Sequence, residues 1–192
     1  MRPDEDEARS LINCGALDAL NPVGNRASLL WDLACWLKSK RPKAAAQSLF
    51  RRADTTGNCQ PPLLPAEDEH ERLRREFSVL GFLCDRHPME LFAGKLQKRH
   101  TIKAVDLPRF IGRKVCTAGW LITGKVVSTK TGDPMEFLTF EDETAIVETT
   151  FFPQAYRRFC HIIDRQRPYL LTGKVEEDWG AITLTVDQAE RL

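Results

Sequence analysis

Residues 112–128 read GRKVCTAGWLITGKVVS, and this stretch decides the fold of the C-terminal part of the chain. Apolar residues recur in it with a period of two, which predicts a β-strand rather than a helix. The strand is long and contains two internal glycines, Gly119 and Gly124. Glycines inside a strand permit bulges and sharp coiling, which small barrels need. We therefore predict that this is the coiled first strand of a barrel.

The segments that follow supply the other elements of such a barrel. Strand patterns occur in MEFLTFE, AIVETTFF, PYLLTGKVEE and AITLTVDQ. Between the second and third of these lies PQAYRRFCHII, where Pro153 suits the first position of a helix. Five strands with a helix between the third and fourth are the order of an OB fold, a closed Greek-key barrel. A β-sheet domain of another kind is the alternative.

The N-terminal residues have a helical pattern. Residues 1–38 predict two helices joined as a hairpin, with Gly15 as the stop of the first helix and Asn25 as the N-cap of the second. Residues 39–66 contain prolines, small residues and a local excess of basic residues, and they are typical of a linker.

A helical connector is predicted over residues 67–111. Its first helix stops at Gly81, and a short helix begins at Pro88. The predicted fold class is therefore α+β: an N-terminal helical region, similar to a helix-hairpin-helix, followed by a five-stranded OB-fold barrel over residues 112–192.

Composition limits the function classes. The 192 residues carry a formal net charge of +1, and residues 112–192 hold 10 basic against 12 acidic side chains. A basic surface that binds nucleic acid must therefore be local. The chain has no apolar run long enough to cross a bilayer, its N-terminus is acidic, and its six cysteines form no CxxC pair. These features predict reduced thiols, a cytoplasmic location and no membrane partner.

Three motifs carry a resemblance to a known family. They are LINCGALDAL…NRASLLWDL, LGFLCDRHPMELF and AGWLITGKVVSTKTGDPMEFLTFEDETAIVETTFFP, in this order along nearly the whole chain. The chain resembles the C-terminal region of the bacterial DNA polymerase III alpha subunit, a C-family polymerase, in which such segments form a helix-hairpin-helix region and an OB domain. The wording RHPM and FFPQAYRRF resembles the error-prone branch of this family.

The resemblance implies a role in DNA replication, repair or translesion synthesis. It implies a module that binds single-stranded template DNA, tethers to the sliding clamp and contacts other polymerase III subunits or polymerase domains. The chain shows no aspartate pair in a palm-like context, which two-metal nucleotidyl transfer requires. We therefore expect no catalysis by the chain on its own and no cofactor. The alternative is a protein-interaction scaffold that packs on polymerase or partner subunits and has little affinity for DNA.

The segment AAQSLFRR resembles the internal clamp-binding peptide of the family, which has the pattern Gln-x-Ser/Asp-Leu/Met-Phe. The residues assigned to clamp binding are Gln47, Ser48, Leu49 and Phe50. Ala46 stands at the expected Gln position, one place before Gln47, which should weaken binding or shift its register. The alternative is a helix end whose Leu49 and Phe50 pack on the core.

OB domains bind single strands through the second and third strands and through the loops that join strands one to two and four to five. Aromatic rings stack on bases there, and cations meet phosphates. The candidate nucleic-acid-binding residues are Lys125, Lys130, Phe137, Phe140, Arg157 with its neighbour Arg158, Lys174, Trp179 and, at the start of the second helix, Arg26.

Two observations oppose this assignment. Phe137 and Phe140 are an odd number of residues apart, so they point to opposite faces of a strand and at least one belongs to the core. The loop between the fourth and fifth strands carries Glu176, Glu177 and Asp178, which repel phosphate. The alternative is a barrel that only packs against other polymerase domains.

Metal and acid–base sites are not predicted. Cys84 and His87 have CxxH spacing, but a structural zinc needs four such ligands. The consecutive acids Glu141, Asp142 and Glu143 point in different directions and do not converge on one cation. We interpret them as a turn between the second and third strands.

Overall fold

The computed structural model describes residues 3–21, 25–40, 64, 67–165 and 167–192. The chain divides into two compact units, Met1–Cys84 and Asp85–Leu192. The proposed clamp-binding residues Gln47 to Phe50 lie outside the described residues. In the described ranges, no helix is both long enough and apolar enough to cross a lipid bilayer.

The described part of the first unit is helical. Its elements are α1 (Glu5–Asn13), a 3₁₀ helix (Asp18–Leu20), α2 (Arg26–Lys40) and α3 (Glu69–Leu80). The predicted helix signals are confirmed, since Asn25 Oδ1 accepts the N–H of Ser28 at 2.8 Å. Gly15 follows α1 with φ +83°, and Gly81 ends α3 with φ +76°. Both glycines adopt the left-handed conformation that terminates helices.

The second unit begins with short helices and continues as a barrel. Its elements are a 3₁₀ helix (Pro88–Phe92), α4 (Ala93–Leu96), a 3₁₀ helix (Ala104–Phe110), β1 (Lys114–Ser128), β2 (Pro134–Glu141), β3 (Ile146–Phe151), α5 (Pro153–Phe159), β4 (Pro168–Asp178) and β5 (Ala181–Arg191). The predicted helix between the third and fourth strands is confirmed as α5.

The strands of this unit form a closed barrel in the order β1-β2-β3-β5-β4. β3 and β5 run parallel, from the pair Glu148–Thr183 to the pair Thr150–Thr185. The other neighbouring strands are antiparallel. This connectivity confirms the five-stranded barrel that the sequence predicts.

Strand β1 is coiled, as its glycines predict. Its first half pairs with β4 and its second half with β2, and the register shifts between Leu121 and Thr123. A Cβ atom on Gly119 would lie 2.8 Å from Phe140 Cβ, and one on Gly124 would lie 2.2 Å from Leu138 Cδ2. Both glycines therefore face the barrel core. They are five residues apart, which would place them on opposite faces of a regular strand, but the bulge between them restores the same face.

The barrel core is apolar and closely packed. Phe140, Leu138, Phe151 and Tyr169 are fully buried. The rings of Phe140 and Tyr169 meet edge to face with centroids 6.0 Å apart. The Tyr169 hydroxyl donates to the Ile162 carbonyl at 2.9 Å, so this buried polar group is satisfied and holds the segment between α5 and β4.

The acidic run forms the turn between β2 and β3, as the sequence predicts. Asp142 is buried and accepts the backbone N–H of Ala104 at 2.9 Å and that of Ala145 at 3.0 Å. Burial raises the pKa of Asp142, but the hydrogen bond from Thr144 Oγ1 and the bonds from backbone N–H groups outweigh it and lower the pKa. Asp142 thus ties the 3₁₀ helix at Ala104 to the barrel.

Candidate nucleic-acid interface

Strand register places one line of side chains across the outer face of the barrel. Lys125 on β1 pairs with Phe137 on β2, which pairs with Thr150 on β3. Thr150 pairs with Thr185 on β5, and Thr185 pairs with Lys174 on β4. Side chains of directly paired residues lie on the same face, about 5 Å apart. We call these five residues the outer row.

The β1–β2 end of the outer row combines a ring with a cation. Phe137 is 47% exposed, so its ring is open to solvent. Lys125 is exposed, and no carboxylate of the described residues pairs with it. A base could stack on the ring while its phosphate meets the ammonium group, the combination typical of single-strand sites.

The loop between β1 and β2 presents a second exposed cation, Lys130. The loop is held by hydrogen bonds from Thr129 N to the Asp133 carbonyl at 2.8 Å and from Gly132 N to the Thr129 carbonyl at 2.9 Å. Gly132 has φ +86°, a conformation that favours glycine. The hydrogen-bonded turn therefore fixes the position of the Lys130 backbone relative to the barrel.

Two predicted contacts are wrong. Phe140 has no exposed surface, because its strand position faces the core, and it cannot stack on a base. Arg26 is 5% exposed and lies in the first unit. Its guanidinium binds Asp18 at 2.8 Å and the Asn13 carbonyl at 2.9 Å. The hydrogen bond with Asp18 raises the pKa of Arg26 despite burial, so this cation stabilises the helices instead of meeting phosphate.

Two other predicted cations are exposed but paired. Arg157 on α5 forms an ion pair with Asp133. Lys174 binds Glu176 at 3.1 Å, and the pKa of Glu176 is lowered by hydrogen bonds from Thr185 and Lys174. Lys174 belongs to the outer row and Arg157 adjoins the β1–β2 loop, but each contributes little net positive charge there.

Trp179 lies apart from the outer row, at the tip of the β4–β5 hairpin. It is 100% exposed and has φ +52°, and Gly180 follows with φ +83°. The end of β4 at Asp178, just before Trp179, lies about 13 Å along the strand from Lys174, at about 3.3 Å per residue. Glu177 and Asp178 directly precede Trp179. The structure therefore pairs Lys125 with Phe137, places Lys130 in the loop that joins the same two strands, and leaves Trp179 beside two acids.

Potential metal ligands are dispersed. In the part of the chain that the structure describes, no group of three or more His, Cys, Asp or Glu is placed to hold a metal ion. His87 Nδ1 instead accepts the N–H of Met89 at 3.1 Å and caps the 3₁₀ helix. Cys35 is disulfide-bonded, which differs from the expectation of reduced thiols.

Within the described part of residues 112–192, sequence reasoning missed one exposed aromatic residue, Phe152. It is 48% exposed and lies between the end of β3 and the start of α5. The pair Phe151-Phe152 reads as the end of one apolar strand. Pro153 is the signal that was available, because a proline at a helix start places the preceding residue outside both elements.

Comparison with known families agrees with this geometry. Residues 120–192 match the family model described as an OB-fold nucleic acid binding domain. The domain is an OB fold.

Relatives match a longer part of the chain. The error-prone DNA polymerase of Symbiobacterium thermophilum is 27% identical over 202 residues, which cover 95% of this chain and 18% of that protein. DNA polymerase III subunit alpha of Bacillus subtilis is 28% identical, covering 95% of this chain and 16% of that protein. The same subunit of Thermus aquaticus is 29% identical, covering 88% of this chain and 14% of that protein. The resemblance to DNA polymerase III alpha and error-prone polymerases is therefore confirmed, and the chain spans less than a fifth of the length of these curated relatives.

Proposed function

We propose that the OB domain binds single-stranded DNA along the outer row, as a non-catalytic module of a DNA polymerase III alpha-like protein. The observation that carries the proposal is the adjacency of Lys125 and Phe137 across β1 and β2. One is a cation without a carboxylate partner among the described residues, and the other is a half-exposed ring. Lys130 in the adjoining loop extends the positive region.

The chemistry of this surface suits a single strand better than a duplex. Every base has a face that can stack on Phe137, but only an unpaired strand exposes that face. The middle of the row adds no charge of its own: Thr150 is buried, and the Thr185 hydroxyl donates to Glu176 at 2.6 Å. Binding of this kind tolerates many sequences, which suits a module that holds template strand.

The relatives named as error-prone DNA polymerase and DNA polymerase III subunit alpha support a place in replication or translesion synthesis. The proposal also places the module in the cytoplasm, in contact with other polymerase III subunits. We further propose residues 1–38 as a helical hairpin of the helix-hairpin-helix type, 39–66 as a linker, 67–111 as a connector and 112–192 as the binding domain. The clamp tether through Leu49 and Phe50 completes the proposal and rests on the sequence motif alone.

Titration of the full chain into a fluorescently labelled dT oligonucleotide tests DNA binding. We expect binding that weakens as salt rises from about 50 mM to about 200 mM, because neutralised phosphates release counterions. The variant Lys98→Gln should bind as the wild type does, since Lys98 is an exposed lysine in the turn after α4, outside the barrel. Absence of binding at the lower salt concentration would overturn the proposal.

The alternative function, a protein-interaction scaffold, is favoured by the β4–β5 tip. The exposed ring of Trp179 beside Glu177 and Asp178 suits an apolar or cationic protein surface better than phosphate. Capture of polymerase subunits by the chain, lost in Trp179→Ala, would support this function if DNA binding fails.

The clamp tether has its own test. The double change Leu49→Ala and Phe50→Ala should abolish pull-down of the sliding clamp while the circular dichroism spectrum stays unchanged, because the two apolar anchors of the peptide are removed. Undiminished pull-down would contradict the assignment of this motif.

A further inference from the structure

A small cavity opens beside the outer row, between α5 and β5. Its volume is about 190 Å³. The lining residues are Phe152, Gln154, Ala155 and Arg158 on one side and Thr185, Val186 and Asp187 on the other. Thr185 belongs both to the lining and to the outer row, so the cavity adjoins the β5 position of that row.

The walls of the cavity carry the groups that recognise a base and its phosphate. Phe152 offers a ring that is 48% exposed. Arg158 is exposed, and no carboxylate of the described residues pairs with it, whereas its neighbour Arg157 is held by Asp133. Successive helix residues project about 100° apart, which explains why adjacent arginines have different surroundings.

The single acid of the lining does not make the cavity negative. Asp187 pairs with Lys114 at 2.8 Å, so its charge is offset. Gln154 is exposed, and its side-chain amide both donates and accepts hydrogen bonds. The cavity is therefore neutral to positive, with one ring and one amide at its wall.

The size of the cavity limits its ligand. Pockets for drug-sized molecules hold about 300–1,000 Å³. A volume of about 190 Å³ is below this range and suits one planar ring rather than a complete nucleotide.

We propose that this cavity is a nucleobase subsite. It receives one base of the single strand that lies on the outer row, with Phe152 stacking on the base and Arg158 contacting the adjoining phosphate. The inference rests on the proposed DNA binding and extends the strand's path beyond β2 and β3 to the junction of β5 and α5.

A length series of dT oligonucleotides tests the subsite. We expect the affinity of the full chain to rise with length and to gain about tenfold once the strand reaches the cavity, the usual size of one stacking contact. Phe152→Leu and Arg158→Gln should remove this gain and leave the affinity for shorter strands unchanged. Phe152→Tyr retains the ring and should retain the gain, and Lys98→Gln controls for the loss of one charge.

The outcomes separate the subsite from the proposed function. If Arg158→Gln weakens all lengths equally, the arginine acts only as a general charge and the subsite is wrong. If the affinity of the wild type rises with oligonucleotide length but shows no tenfold gain at any length, the subsite is wrong and the proposed DNA binding stands. If no length binds, the proposed function itself fails. Thermal unfolding of each variant, monitored by circular dichroism, shows that the fold is retained.

Discussion

The β1–β2 region and the β4–β5 tip of the barrel each expose an aromatic ring, but their charges differ. Phe137 adjoins Lys125, and Lys130 lies in the loop that joins the same two strands; neither lysine pairs with a carboxylate of the described residues. Trp179 is more exposed than Phe137, yet it follows Glu177 and Asp178. We therefore expect the cations around an exposed ring, and not the ring alone, to decide which region attracts phosphate.

Pairing within the barrel creates this difference. Glu176 accepts hydrogen bonds from Lys174 and Thr185, so the cation nearest the tip is neutralised by a neighbour on its own strand. A domain with 10 basic and 12 acidic residues thus keeps a local positive surface. Five predictions, from the largest expected effect to the smallest, test the stability of the barrel and the contrast between the two regions.

Gly173→Ala should destabilise the barrel that carries both regions. A Cβ atom at this position would lie 2.2 Å from the Thr185 carbonyl oxygen and 2.8 Å from its carbon, so backbone must move. We expect the free energy of unfolding to fall by about 3 kcal/mol, as for a severely overpacked core. Urea denaturation measures this. Gly94→Ala is the control, because nothing lies within 4 Å of its Cβ position, and equal stability of the two variants would contradict the prediction.

Asp142→Asn should weaken the attachment of the 3₁₀ helix at Ala104 by about 2 kcal/mol, since buried N–H groups lose a charged acceptor. The pKa of Asp142 is lowered in the fold. Its stabilisation is therefore present above the unfolded value of about 3.9 and is lost as pH falls through the folded value. Unfolding measured between pH 7 and pH 2 should show a smaller pH dependence in the variant. An equal pH dependence of unfolding in the variant and in the wild type would contradict this prediction.

Phe137→Ala should lower the affinity for single-stranded DNA about tenfold, because one base loses its stacking platform. Fluorescence anisotropy at constant salt measures the loss, and Phe137→Tyr should restore binding. Unchanged affinity in the alanine variant would remove the contrast between the two rings.

Lys125→Gln should lower the affinity about threefold at low salt. Removal of one phosphate contact should also reduce the slope of log K against log salt by about 0.7, the value for single strands. Lys98→Gln should leave the slope unchanged. Equal slopes for the Lys125 variant and wild type would show that this lysine does not meet phosphate.

Trp179→Ala should change DNA affinity less than twofold, because Glu177 and Asp178 keep phosphate away. Glu177→Lys with Asp178→Lys should raise the affinity about threefold and make it sensitive to Trp179→Ala. A tenfold loss for Trp179→Ala in the otherwise unchanged chain would show that the tip already binds DNA.

Local patterns predicted the barrel well. The period of two, the glycines of β1 and Pro153 before α5 are signals within a few residues, and each was confirmed. The same holds for the cap at Asn25. These features depend on backbone geometry that neighbouring residues determine, so the sequence contains enough information to locate them.

Contacts between distant residues could not be predicted. The sequence shows that Phe137 and Phe140 face opposite sides, but it does not show which side is the core. The ion pair of Arg26 with Asp18 depends on how the first helices meet, and the one between Arg157 and Asp133 joins α5 to a loop 24 residues away. The cavity between α5 and β5 depends on strand register in the same way.

The parallel pairing of β3 with β5 has a consequence for folding. Barrel closure rests on the pairs Glu148–Thr183, Thr149–Leu184 and Thr150–Thr185, whose partners are 35 residues apart. Non-local pairing of this kind forms slowly. Until β5 docks, β3 and β4 both expose unpaired edges that can pair with other chains. Substitutions in these three pairs should therefore increase aggregation during synthesis more than they destabilise the finished barrel.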